Sequence, residues 1–421
     1  MKVYVQTYGC SFNQSDSEVM AGILKEAGHE LTSLENAEIV IVNSCVVKNQ
    51  TQKELFKFIE KAKESNKKIV VAGCAPSSIP EKLEGLSMIG VDQLNEIKDA
   101  VTKTANNEIL VKIKPKSEKR FTLPKIRHNP IVEIIPISKG CLGSCTYCLT
   151  VNARGKLESY EGRAIKQAAE QAVKEGVKEL WLTSQDTACW GMDIKQKLPR
   201  LIESLTHTNA LIRVGMGNPN WFKIILPEFI EILKHPNVFK FVHIPVQAGD
   251  DEVLKNMKRG YSAKTYIDIV KKLKQEIPDI TIATDIICGF PGETEEQFQK
   301  TLDIIKETRP PVMNVSKFAA RPHTPAETMH QVEGPQIKDR STRMATLHKE
   351  IRREELSKWV GRTCNILIDE KGKHHNQWVG RNLSYVPVII EGDYKLGDQI
   401  EVNITSSHQH HVEGVDTHQT P

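Results

Sequence analysis

The sequence contains no apolar run long enough to cross a membrane. Its longest apolar stretches have the length of strands, such as IVIV at 39–42 and KIVVAG at 68–73, whereas a membrane-spanning helix needs about 18 consecutive apolar residues. The beginning, MKVYVQTYGC, also lacks the pattern of a secretory signal, because polar residues and a cysteine follow at once. We therefore expect a cytoplasmic protein without a membrane partner.

The sequence also lacks a strong excess of one charge, and its number of cysteines is odd. The 57 Lys and Arg residues against 53 Asp and Glu give a net charge of +4, which says little about partners. The 421 residues suffice for two or three domains, and 39% apolar with 26% charged residues is ordinary for a globular protein. Nine cysteines in a large chain without a secretory signal argue against a disulfide framework and for metal binding or catalysis.

Residues 1–111 alternate short β-rich runs with helical patterns. KVYVQTYG, AEIVIVNSC and KKIVVAGC are typical of strands, and SDSEVMAGILKEAG and TQKELFKFIEKAKESN are typical of helices with Ser or Thr near their starts. This alternation predicts an open parallel α/β domain. Residues 112–130 hold three prolines and seven Lys or Arg, which predicts a basic linker or an extended surface segment.

The alternation resumes on a larger scale over residues 131–356. The candidate strands are VEIIPIS, ELWLTS, LIRVGM, FVHIPV, ITIATDIICG and VMNVSKF. Six such units with helical patterns between them predict a partial TIM-like (β/α)6 barrel. Residues 357–421 change to short strands separated by turns, namely TCNILIDE, NQWVGRN, YVPVII and QIEVNIT. They predict a small all-β barrel of a kind that often handles nucleic acid.

Three cysteines stand close together in KGCLGSCTYCLTVNARG, residues 139–155. Cys141, Cys145 and Cys148 form a C-x3-C-x2-C pattern after the first strand of the larger α/β unit, where barrel active sites gather. A structural zinc site usually has four protein ligands, whereas an iron–sulfur cubane held by three thiolates keeps one iron free. A zinc loop with a distant fourth ligand, such as a histidine, is the alternative, and the placement of the cysteines counts against it.

The GCLGSCTYC segment resembles the cluster motif of the radical S-adenosylmethionine superfamily. The resemblance implies a 4Fe–4S cluster on Cys141, Cys145 and Cys148, whose open iron is chelated by the amino and carboxylate groups of S-adenosylmethionine. An electron from the reduced cluster then cleaves the sulfonium and gives methionine and a 5′-deoxyadenosyl radical. Tyr147 stands where this superfamily usually has an aromatic residue close to the cofactor.

Three further cysteines each end a predicted strand of the N-terminal domain, namely Cys10 in YGCSFNQSDSE, Cys45 in NSCVV and Cys74 in AGCAP. The carboxyl ends of parallel strands meet at one edge of a sheet, so we expect the three thiols to converge there. Three buried, inert cysteines are the alternative, because free cysteine also behaves as a small hydrophobe. Ordinary packing is the interpretation for the other three, Cys189, Cys288 and Cys364.

Together these features resemble the methylthiotransferase family over nearly the whole chain. The resemblance implies a second 4Fe–4S cluster on Cys10, Cys45 and Cys74. It also identifies the C-terminal barrel with the family's TRAM domain, which binds RNA. The segment LTSQDTACWG, 182–191, resembles the archaeal and eukaryotic branch of the family, which modifies threonylcarbamoyladenosine.

Several residues outside the cysteine motifs are candidate contacts of the cofactor or the substrate. The candidates for the cofactor are Ser184, Asp186, Arg213, Gln247, Gly289 and Pro291, and those for the substrate are Gln185 and Arg321. The resemblance places Gly289 and Pro291, in the turn GFPGETEEQF, beside the adenine of the cofactor, although a glycine-rich turn is usually only a turn. It turns Gln247 of HIPVQAGDD towards the active site, next to Ala248, where the family commonly has serine.

The polar candidates differ in their alternatives. Ser184, Gln185 and Asp186 end a predicted strand and are able to hydrogen-bond a ribose or a polar substrate. Arg213 in RVGMGNP neutralises the cofactor carboxylate or forms a salt bridge at the edge of the core. Arg321 in RPHTPAETM contacts the substrate or stabilises its loop through an ion pair, and His323 beside it stands where relatives usually have glycine.

Basic residues concentrate in the linker and in the helix before the small barrel. They are Lys112, Lys114, Lys116, Lys119, Arg120, Lys125 and Arg127, then Lys349, Arg352, Arg353, Lys358 and Arg362. These residues predict salt-dependent contacts with RNA phosphates, and a merely solvated face is the alternative. Exposed loop histidines are preferred over metal binding for His374, His375, His408, His410 and His411.

The family resemblance implies a tRNA methylthiotransferase that uses two molecules of S-adenosylmethionine per turnover. One methylates a sulfur attached to the N-terminal cluster, and the other yields the radical, so that a methylthio group replaces hydrogen at C2 of threonylcarbamoyladenosine beside the anticodon. Acid–base catalysis does not sulfurate an unactivated aromatic C–H bond, so a radical source and a separate sulfur carrier are both needed. The expected partners are the tRNA anticodon stem-loop, an external electron donor and a sulfur donor, and we expect a monomer.

Three alternatives stay open at this point. Isopentenyladenosine in tRNA and, more distantly, an aspartate of a ribosomal protein are other substrates within the same family. A non-catalytic RNA-binding protein, whose domains are held by zinc or by structural clusters, is the alternative from a different class.

Overall fold

Six parallel strands form the sheet of the N-terminal domain. In the computed structural model, which describes residues 1–46, 49–114 and 120–418, they pair in the order β2-β1-β3-β4-β5-β6. The strands are β1 Lys2–Thr7, β2 Glu30–Leu31, β3 Ile39–Ser44, β4 Lys68–Gly73, β5 Ser87–Ile89 and β6 Val111–Lys112. The helices are α1 Ser11–Glu26, α2 Asn49–Glu64, α3 Cys74–Ser78 and α4 Ile97–Ala105. The predicted open parallel α/β domain is confirmed.

The central strands are apolar on both sides because helices cover both faces of this sheet. Ile39 and Ile41 of β3 belong to one hydrophobic cluster with residues of α1 and α4. Val40 and Val42 belong to a second cluster with residues of α2 and α3 on the other face. Continuous apolar runs are typical of parallel strands buried in this way. The first helix begins at Ser11, before the predicted start, so its first turn directly follows the strand-end cysteine.

The central domain is an open barrel of six parallel strands that follow one another in chain order. One sheet contains β7, β10 and β11, another contains β12, β13 and β14, and a bridge between Ile212 and Val238 joins the two sheets. The strands are β7 Val132–Pro136, β10 Glu179–Thr183, β11 Leu211–Val214, β12 Phe241–His243, β13 Thr281–Cys288 and β14 Val312–Lys317. The ordered sheet ends at β7 and at β14, so the predicted partial TIM-like barrel is confirmed.

Helices pack on the outer face of this barrel. They are α6 Gly162–Lys174, α7 Leu198–Glu203, α8 Pro219–Leu233, α10 Ala263–Glu276, α11 Glu295–Thr308 and α12 Gly334–Ser357. Of the two other helices, α5 Thr150–Arg154 packs against α3 of the N-terminal domain, and α9 Asp251–Asn256 joins a separate hydrophobic cluster with Phe290. A short antiparallel pair, β8 Ser138–Lys139 and β9 Glu158–Ser159, flanks the cysteine loop. Ile212 and Val214 of β11 point into the core shared with the helices, so Arg213 between them lies on the opposite, inner face. Within the described ranges, no helix combines the length and apolar character that crossing a membrane requires.

The basic residues of the segment between the first two domains pair with carboxylates of the protein. Arg120 Nη1 lies 2.6 Å from Asp16 Oδ1 on α1, and Lys125 and Arg127 both lie 2.5 Å from carboxylate oxygens of Glu133 on β7. These ion pairs fasten the segment to both domains and take the place of the predicted phosphate contacts at these three residues. Two other residues of the predicted basic linker, Lys116 and Lys119, lie outside the described residues.

Five strands close into the C-terminal barrel, in the order β15-β16-β17-β19-β18. They are β15 Thr363–Lys371, β16 Gln377–Asn382, β17 Pro387–Glu391, β18 Gln399–Ser407 and β19 Val412–Asp416. The predicted small all-β barrel is confirmed, but the sequence did not predict β19. Its buried residues are Val412 and Gly414, and a glycine leaves no apolar alternation to recognise.

The small barrel docks on the inner face of the central domain. Tyr385, at the turn between β16 and β17, packs its ring against Phe239 and Phe241, with centroid distances of 4.8 and 5.1 Å. The Lys240 backbone N–H donates to the Leu383 carbonyl over 2.7 Å. The barrel therefore covers the inner face where β12 begins and leaves the carboxyl ends of the strands to the cysteine loops.

Asp16 is enclosed by two buried guanidinium groups, which belong to Arg120 and to Arg154 at the end of α5, at 2.6 and 2.7 Å. We expect Asp16→Asn to lower the local unfolding free energy of α1 by about 3–5 kcal/mol, because a buried ion pair that loses one member leaves an uncompensated charge. Hydrogen exchange of the α1 amides, followed by mass spectrometry, measures this change. The control Asp303→Asn removes an exposed pair with Lys306 and is expected to cost less than about 1 kcal/mol. An equally small effect of Asp16→Asn would contradict the prediction.

Candidate functional site

The first cysteine triad lies on a loop that closes upon itself. The loop runs from β8 to α5, and the Cys141 backbone N–H donates to the Gly155 carbonyl over 3.2 Å. The side chains of Cys141, Cys145 and Cys148 are partly buried. Together with Lys156 and residues 323–325 they line a pocket of about 520 Å³. The structure thus brings the predicted triad together at the carboxyl end of the first barrel strand.

Each sulfur atom of this triad faces a hydrogen-bond donor. The backbone N–H groups of Gly143 and Thr150 lie 3.2 and 3.4 Å from the first and the third sulfur. Arg259 Nη1 lies 3.3 Å from Cys145 Sγ. Hydrogen bonds to the charged form of an acid stabilise that form, so these donors favour thiolates over thiols.

Burial and mutual repulsion oppose ionisation of the thiols when no cation is bound. Burial, the Asp186 carboxylate and the two other cysteines together raise the pKa of Cys141 to about 12, while the Gly143 N–H opposes the rise. Burial also raises the pKa of Cys148, with the Cys145 thiol as the next cause. Three thiols in this position ionise readily only as ligands of a positively charged group.

Tyr147 and Arg259 form one side of the triad's surroundings. Arg259 is buried, with its Nε 3.1 Å from the Tyr261 hydroxyl and its Nη1 3.5 Å from the Tyr147 hydroxyl. Burial raises the pKa of Tyr147 well above its ordinary value, while the Arg259 charge opposes the rise. The Tyr147 ring packs edge-on against Phe290, with the ring centroids 6.2 Å apart. The predicted aromatic residue is therefore held against the cysteine loop by a guanidinium and by a second ring.

The second triad forms where three neighbouring strands of the N-terminal sheet end. Cys10 follows β1 and is exposed, whereas Cys45 after β3 and Cys74 after β4 are buried. Gly9 has a φ of +115°, and a Cβ atom there would lie 2.6 Å from Cys45 Cβ. Only glycine therefore allows the loop that carries Cys10 to approach Cys45 so closely. Burial raises the pKa of Cys74 to about 12, and the other two thiols of the triad contribute to the rise.

Asn13 and Arg154 connect this second triad to the cysteine loop of the central domain. Asn13 Oδ1 lies 3.8 Å from the sulfur atoms of both Cys10 and Cys74, and it accepts a hydrogen bond from Arg154 Nη2 over 2.9 Å. Arg154 is buried and also contacts Asp16 on α1 at 2.7 Å. Because Arg154 ends α5, the helix that follows the first triad, one side chain reaches from the first triad's loop to the second triad.

The residues around both triads fit iron–sulfur clusters. Each triad offers three thiol sulfur atoms, one fewer than the four protein ligands of a structural zinc site. Three thiolates suit a cubane that keeps one iron open. Buried guanidinium groups beside each triad also suit a core that carries net negative charge with its three thiolates.

Arg321 lies between the two triads. Its Nη1 donates to Gln52 Oε1 on α2 over 2.8 Å. Burial lowers the pKa of Arg321, and the charges of Cys45 from one triad and Cys148 from the other oppose that decrease. The structure thus brings this predicted substrate contact to a position that both triads influence.

The strand-end segment 184–186 reaches the first triad. The Ser184 hydroxyl accepts a hydrogen bond from the Asp186 backbone N–H over 3.1 Å. Asp186 Oδ1 accepts from the backbone N–H groups of Ala188 and Asn218 over 3.2 and 3.0 Å, and burial raises its pKa to about 6. Among the described residues, the buried Oε1 of Gln185 has no hydrogen-bond partner. Gln185 therefore has an acceptor left for a ligand.

Gln247 and the glycine-rich turn contact the site in different ways. Gln247 is buried with a φ of +69°, and its backbone N–H donates to the Asp285 carbonyl at the end of the barrel strands. A Cβ atom at Gly289 would lie 2.4 Å from Ile337 Cγ1, so Gly289 makes room for α12. Pro291 follows Phe290, the residue whose ring touches Tyr147. The turn therefore reaches the first triad through Phe290 rather than through Gly289.

Arg213 is not brought to the cysteine pocket. Its guanidinium lies 5.0 Å from the rings of Trp181, Phe241 and Tyr385, on the inner face where the small barrel docks. Among the described residues Arg213 forms no salt bridge of the kind that the sequence offered as the alternative, and its predicted contact with the cofactor carboxylate stays a prediction. Its surroundings support a third role, which is cation–π packing between the two domains.

Two functional residues escaped prediction from the sequence. Arg259, in MKRGYSA, and Arg154, in NARG, are single basic residues that look like solvent-exposed ends of helices. Arg154 meets Asp16 across 138 positions of the chain, and Arg259 meets Cys145 across 114. One sequence carries no local signal for such contacts. His323, where the family resemblance implies glycine, has a φ of +64°, a conformation that glycine adopts without strain.

Comparison with known families covers all three domains. Residues 2–91 match the Uncharacterized protein family UPF0004, residues 135–305 match the Radical SAM superfamily, and residues 358–415 match the TRAM domain. Among solved structures, the radical S-adenosylmethionine methyltransferase TsrM from Kitasatospora setae is similar with a TM-score of 0.56, 15% identity and 77% coverage of each chain. The radical enzyme OxsB gives a TM-score of 0.51 with 12% identity over 83% of this chain and 56% of that chain. These structural likenesses show the fold.

Similarity to named relatives extends over nearly the whole chain. The threonylcarbamoyladenosine tRNA methylthiotransferase of Homo sapiens is 39% identical over 98% of this chain and 73% of its own length. That of Xenopus laevis is 39% identical over 98% of this chain and 76% of its length. The probable enzyme of Methanothermobacter thermautotrophicus is 38% identical over 93% of this chain and 94% of its length. With both cysteine triads in place, the chain belongs to the family of threonylcarbamoyladenosine tRNA methylthiotransferases.

Proposed function

We propose that this enzyme places a methylthio group at C2 of threonylcarbamoyladenosine, next to the anticodon of a tRNA. The proposal rests on the pair of cysteine triads. Arg154 connects the two triads, and Arg321 lies between them. A reaction that inserts sulfur into an aromatic C–H bond requires two sites of different chemistry within reach of one substrate. The names of the relatives supply the substrate.

The two triads are the proposed holders of two 4Fe–4S clusters. Cys141, Cys145 and Cys148 would leave one iron of the first cluster open to S-adenosylmethionine, and Cys10, Cys45 and Cys74 would hold the second cluster. When bound, the two clusters and two molecules of S-adenosylmethionine per turnover would remove the C2 hydrogen and would provide the sulfur atom and the methyl group.

The chain's own residues orient these groups and exclude water. Arg259 donates to Cys145 and fixes the Tyr147 hydroxyl. The Tyr147 and Phe290 rings close that side of the pocket to solvent. The proposed contacts of S-adenosylmethionine are Ser184, Asp186, Gln247 and the turn with Gly289 and Pro291. Gln185, with its buried carbonyl oxygen free of partners among the described residues, is a proposed substrate contact that accepts an N–H group.

Cationic side chains at the pocket favour the threonylcarbamoyl group over an isopentenyl group. Lys156 lines the pocket and is exposed at its rim, and Arg321 lies deeper, beside Gln52. The threonylcarbamoyl group ends in a carboxylate, which lysine and arginine bind through charge-assisted hydrogen bonds. An isopentenyl group is apolar and gains nothing from these cations.

The small barrel is the proposed binding site for the tRNA. Exposed Lys349 and Arg353 on α12 stand next to it, and their phosphate contacts would give salt-dependent affinity. Three other basic residues there are held by the protein itself, through Lys358 to Glu355, Arg362 to Asp279 and Arg352 to the His410 carbonyl. The proposal further includes an external electron donor, a sulfur donor, a monomeric enzyme and a cytoplasmic location.

The function is tested with anaerobically reconstituted enzyme, reductant, S-adenosylmethionine and tRNA that carries threonylcarbamoyladenosine. We expect a new nucleoside that is heavier by a methylthio group less one hydrogen, detected by mass spectrometry after digestion. tRNA with isopentenyladenosine is expected to remain unmodified, because its side chain lacks the carboxylate. The variant Cys145→Ala is expected to abolish both the product and the release of 5′-deoxyadenosine while it retains affinity for tRNA.

Other outcomes of the same assay separate the remaining possibilities. Release of 5′-deoxyadenosine without modified threonylcarbamoyladenosine would move the reaction to another substrate. No 5′-deoxyadenosine from a protein with two intact clusters and a working reductant would overturn the enzymatic proposal and favour a non-catalytic RNA-binding protein.

Arg259 is expected to raise the reduction potential of the first cluster. Its positive charge and its hydrogen bond to Cys145 stabilise the reduced, more negative state. A charge-assisted hydrogen bond of about 1.5–3 kcal/mol corresponds to a one-electron shift on the order of 65–130 mV. We therefore expect Arg259→Gln to lower the potential by that amount in an EPR-monitored redox titration, and Arg259→Lys to lower it less. Arg163→Gln, at an exposed position on α6, is the control, and an equal potential in both glutamine variants would refute the prediction.

A further inference from the structure

We propose that the hairpin between β18 and β19 of the small barrel binds a divalent transition metal ion, and that Zn²⁺ fits it best. The ligands are one imidazole nitrogen each of His408 and His411 and a carboxylate oxygen of Glu413, and these three ligand atoms lie within 4.8 Å of one another. The structure thereby singles out two of the five histidines that the sequence left as exposed loop residues. The site is separate from both cysteine triads and does not depend on the proposed function.

The backbone of the hairpin brings the three side chains together. The His408 backbone N–H donates to the His411 carbonyl over 2.9 Å, which closes a tight turn. Across the hairpin, Ser406 pairs with Glu413 in the register of the two strands. The turn stacks the His408 and His411 rings with their centroids 4.8 Å apart and their planes at 24°. The positions of the ligands are therefore set by strand pairing, which the closed barrel enforces.

The distance between the ligand atoms of His408 and Glu413 suits a tetrahedral ion. His408 Nε2 lies 3.1 Å from Glu413 Oε2. Two ligands of a tetrahedral Zn²⁺, with bonds of about 2.0–2.1 Å, lie about 3.3 Å apart. The Ser406 hydroxyl donates to the same Glu413 oxygen over 2.8 Å and lies 3.2 Å from His408 Nε2. A hydrogen bond of this kind orients a metal-binding carboxylate from the outer shell.

The donor set determines which metal fits. Two imidazoles and one carboxylate suit Zn²⁺ and its transition-metal neighbours, whereas Mg²⁺ and Ca²⁺ prefer sets made of oxygen alone. Three protein ligands leave a fourth position, and the side chains of His408 and Glu413 are 46% and 45% exposed, so that position faces solvent. The ion would clip β18 to the short strand β19, which closes the barrel.

The proposal is tested on the full-length protein that carries its iron, titrated with ZnCl₂ by calorimetry. Zinc retained after gel filtration is counted by mass spectrometry of the elements. We expect about one zinc per chain for the wild-type protein, with at least tenfold weaker binding in His408→Ala and in Glu413→Ala. The control variants His418→Ala and His207→Ala replace exposed histidines away from the hairpin and are expected to bind zinc like the wild type.

X-ray absorption at the zinc edge identifies the ligands independently of the variants. We expect imidazole nitrogen and oxygen ligands around the zinc ion, and no sulfur. Sulfur in the first shell would place the zinc on cysteines and overturn the proposal. No zinc binding by the wild-type protein would also overturn the proposal, and so would equal zinc binding by His408→Ala and the control variants. In both cases the stacked rings and the pair of His408 with Glu413 would only stabilise the hairpin.

Discussion

The buried contact of Arg154 with Asp16 fixes how the two cysteine triads face each other. Arg154 is the last residue of α5, the five-residue helix that follows Cys148, and it reaches into the N-terminal domain, where it contacts Asp16 and the ring of Phe12 on α1. Because α5 is short and cannot lengthen, a displacement of one domain relative to the other would break the contact between the buried charges of Arg154 and Asp16. Such a break costs about 3–5 kcal/mol. The distance between the two chemical sites therefore depends on this pair.

A buried arginine lies beside each triad. Arg259 donates to a sulfur of the first triad, and Arg154 reaches the second through Asn13. Around Asp16 the two guanidinium groups of Arg120 and Arg154 leave one positive charge in excess. Excess positive charge, buried beside three thiolates, stabilises a negatively charged cluster and its reduced state. The fold thus prepares both sites electrostatically as well as geometrically.

Much of the fold and the positions of the cysteines could be predicted because their signals are local. Apolar runs such as IVIV of β3 identify buried parallel strands, and parallel strands bring their terminal cysteines to one edge. Arg154, Arg259 and the pair of Arg120 with Asp16 could not be predicted, since their partners lie far away in the sequence. The same reason applies to Arg213, whose environment is made by Tyr385 of another domain. The domain boundaries near residues 111, 130 and 356 stay predictions.

The most direct test of the paired triads is the iron content of the reconstituted protein, resolved into 4Fe–4S clusters by Mössbauer spectroscopy. We predict about eight irons per chain in two clusters. Replacement of Cys10, Cys45 and Cys74 by alanine is expected to leave about four irons, and so is replacement of Cys141, Cys145 and Cys148. A wild-type content of about four irons that survives the replacement of Cys10, Cys45 and Cys74 would contradict the second cluster, and with it the two-site chemistry.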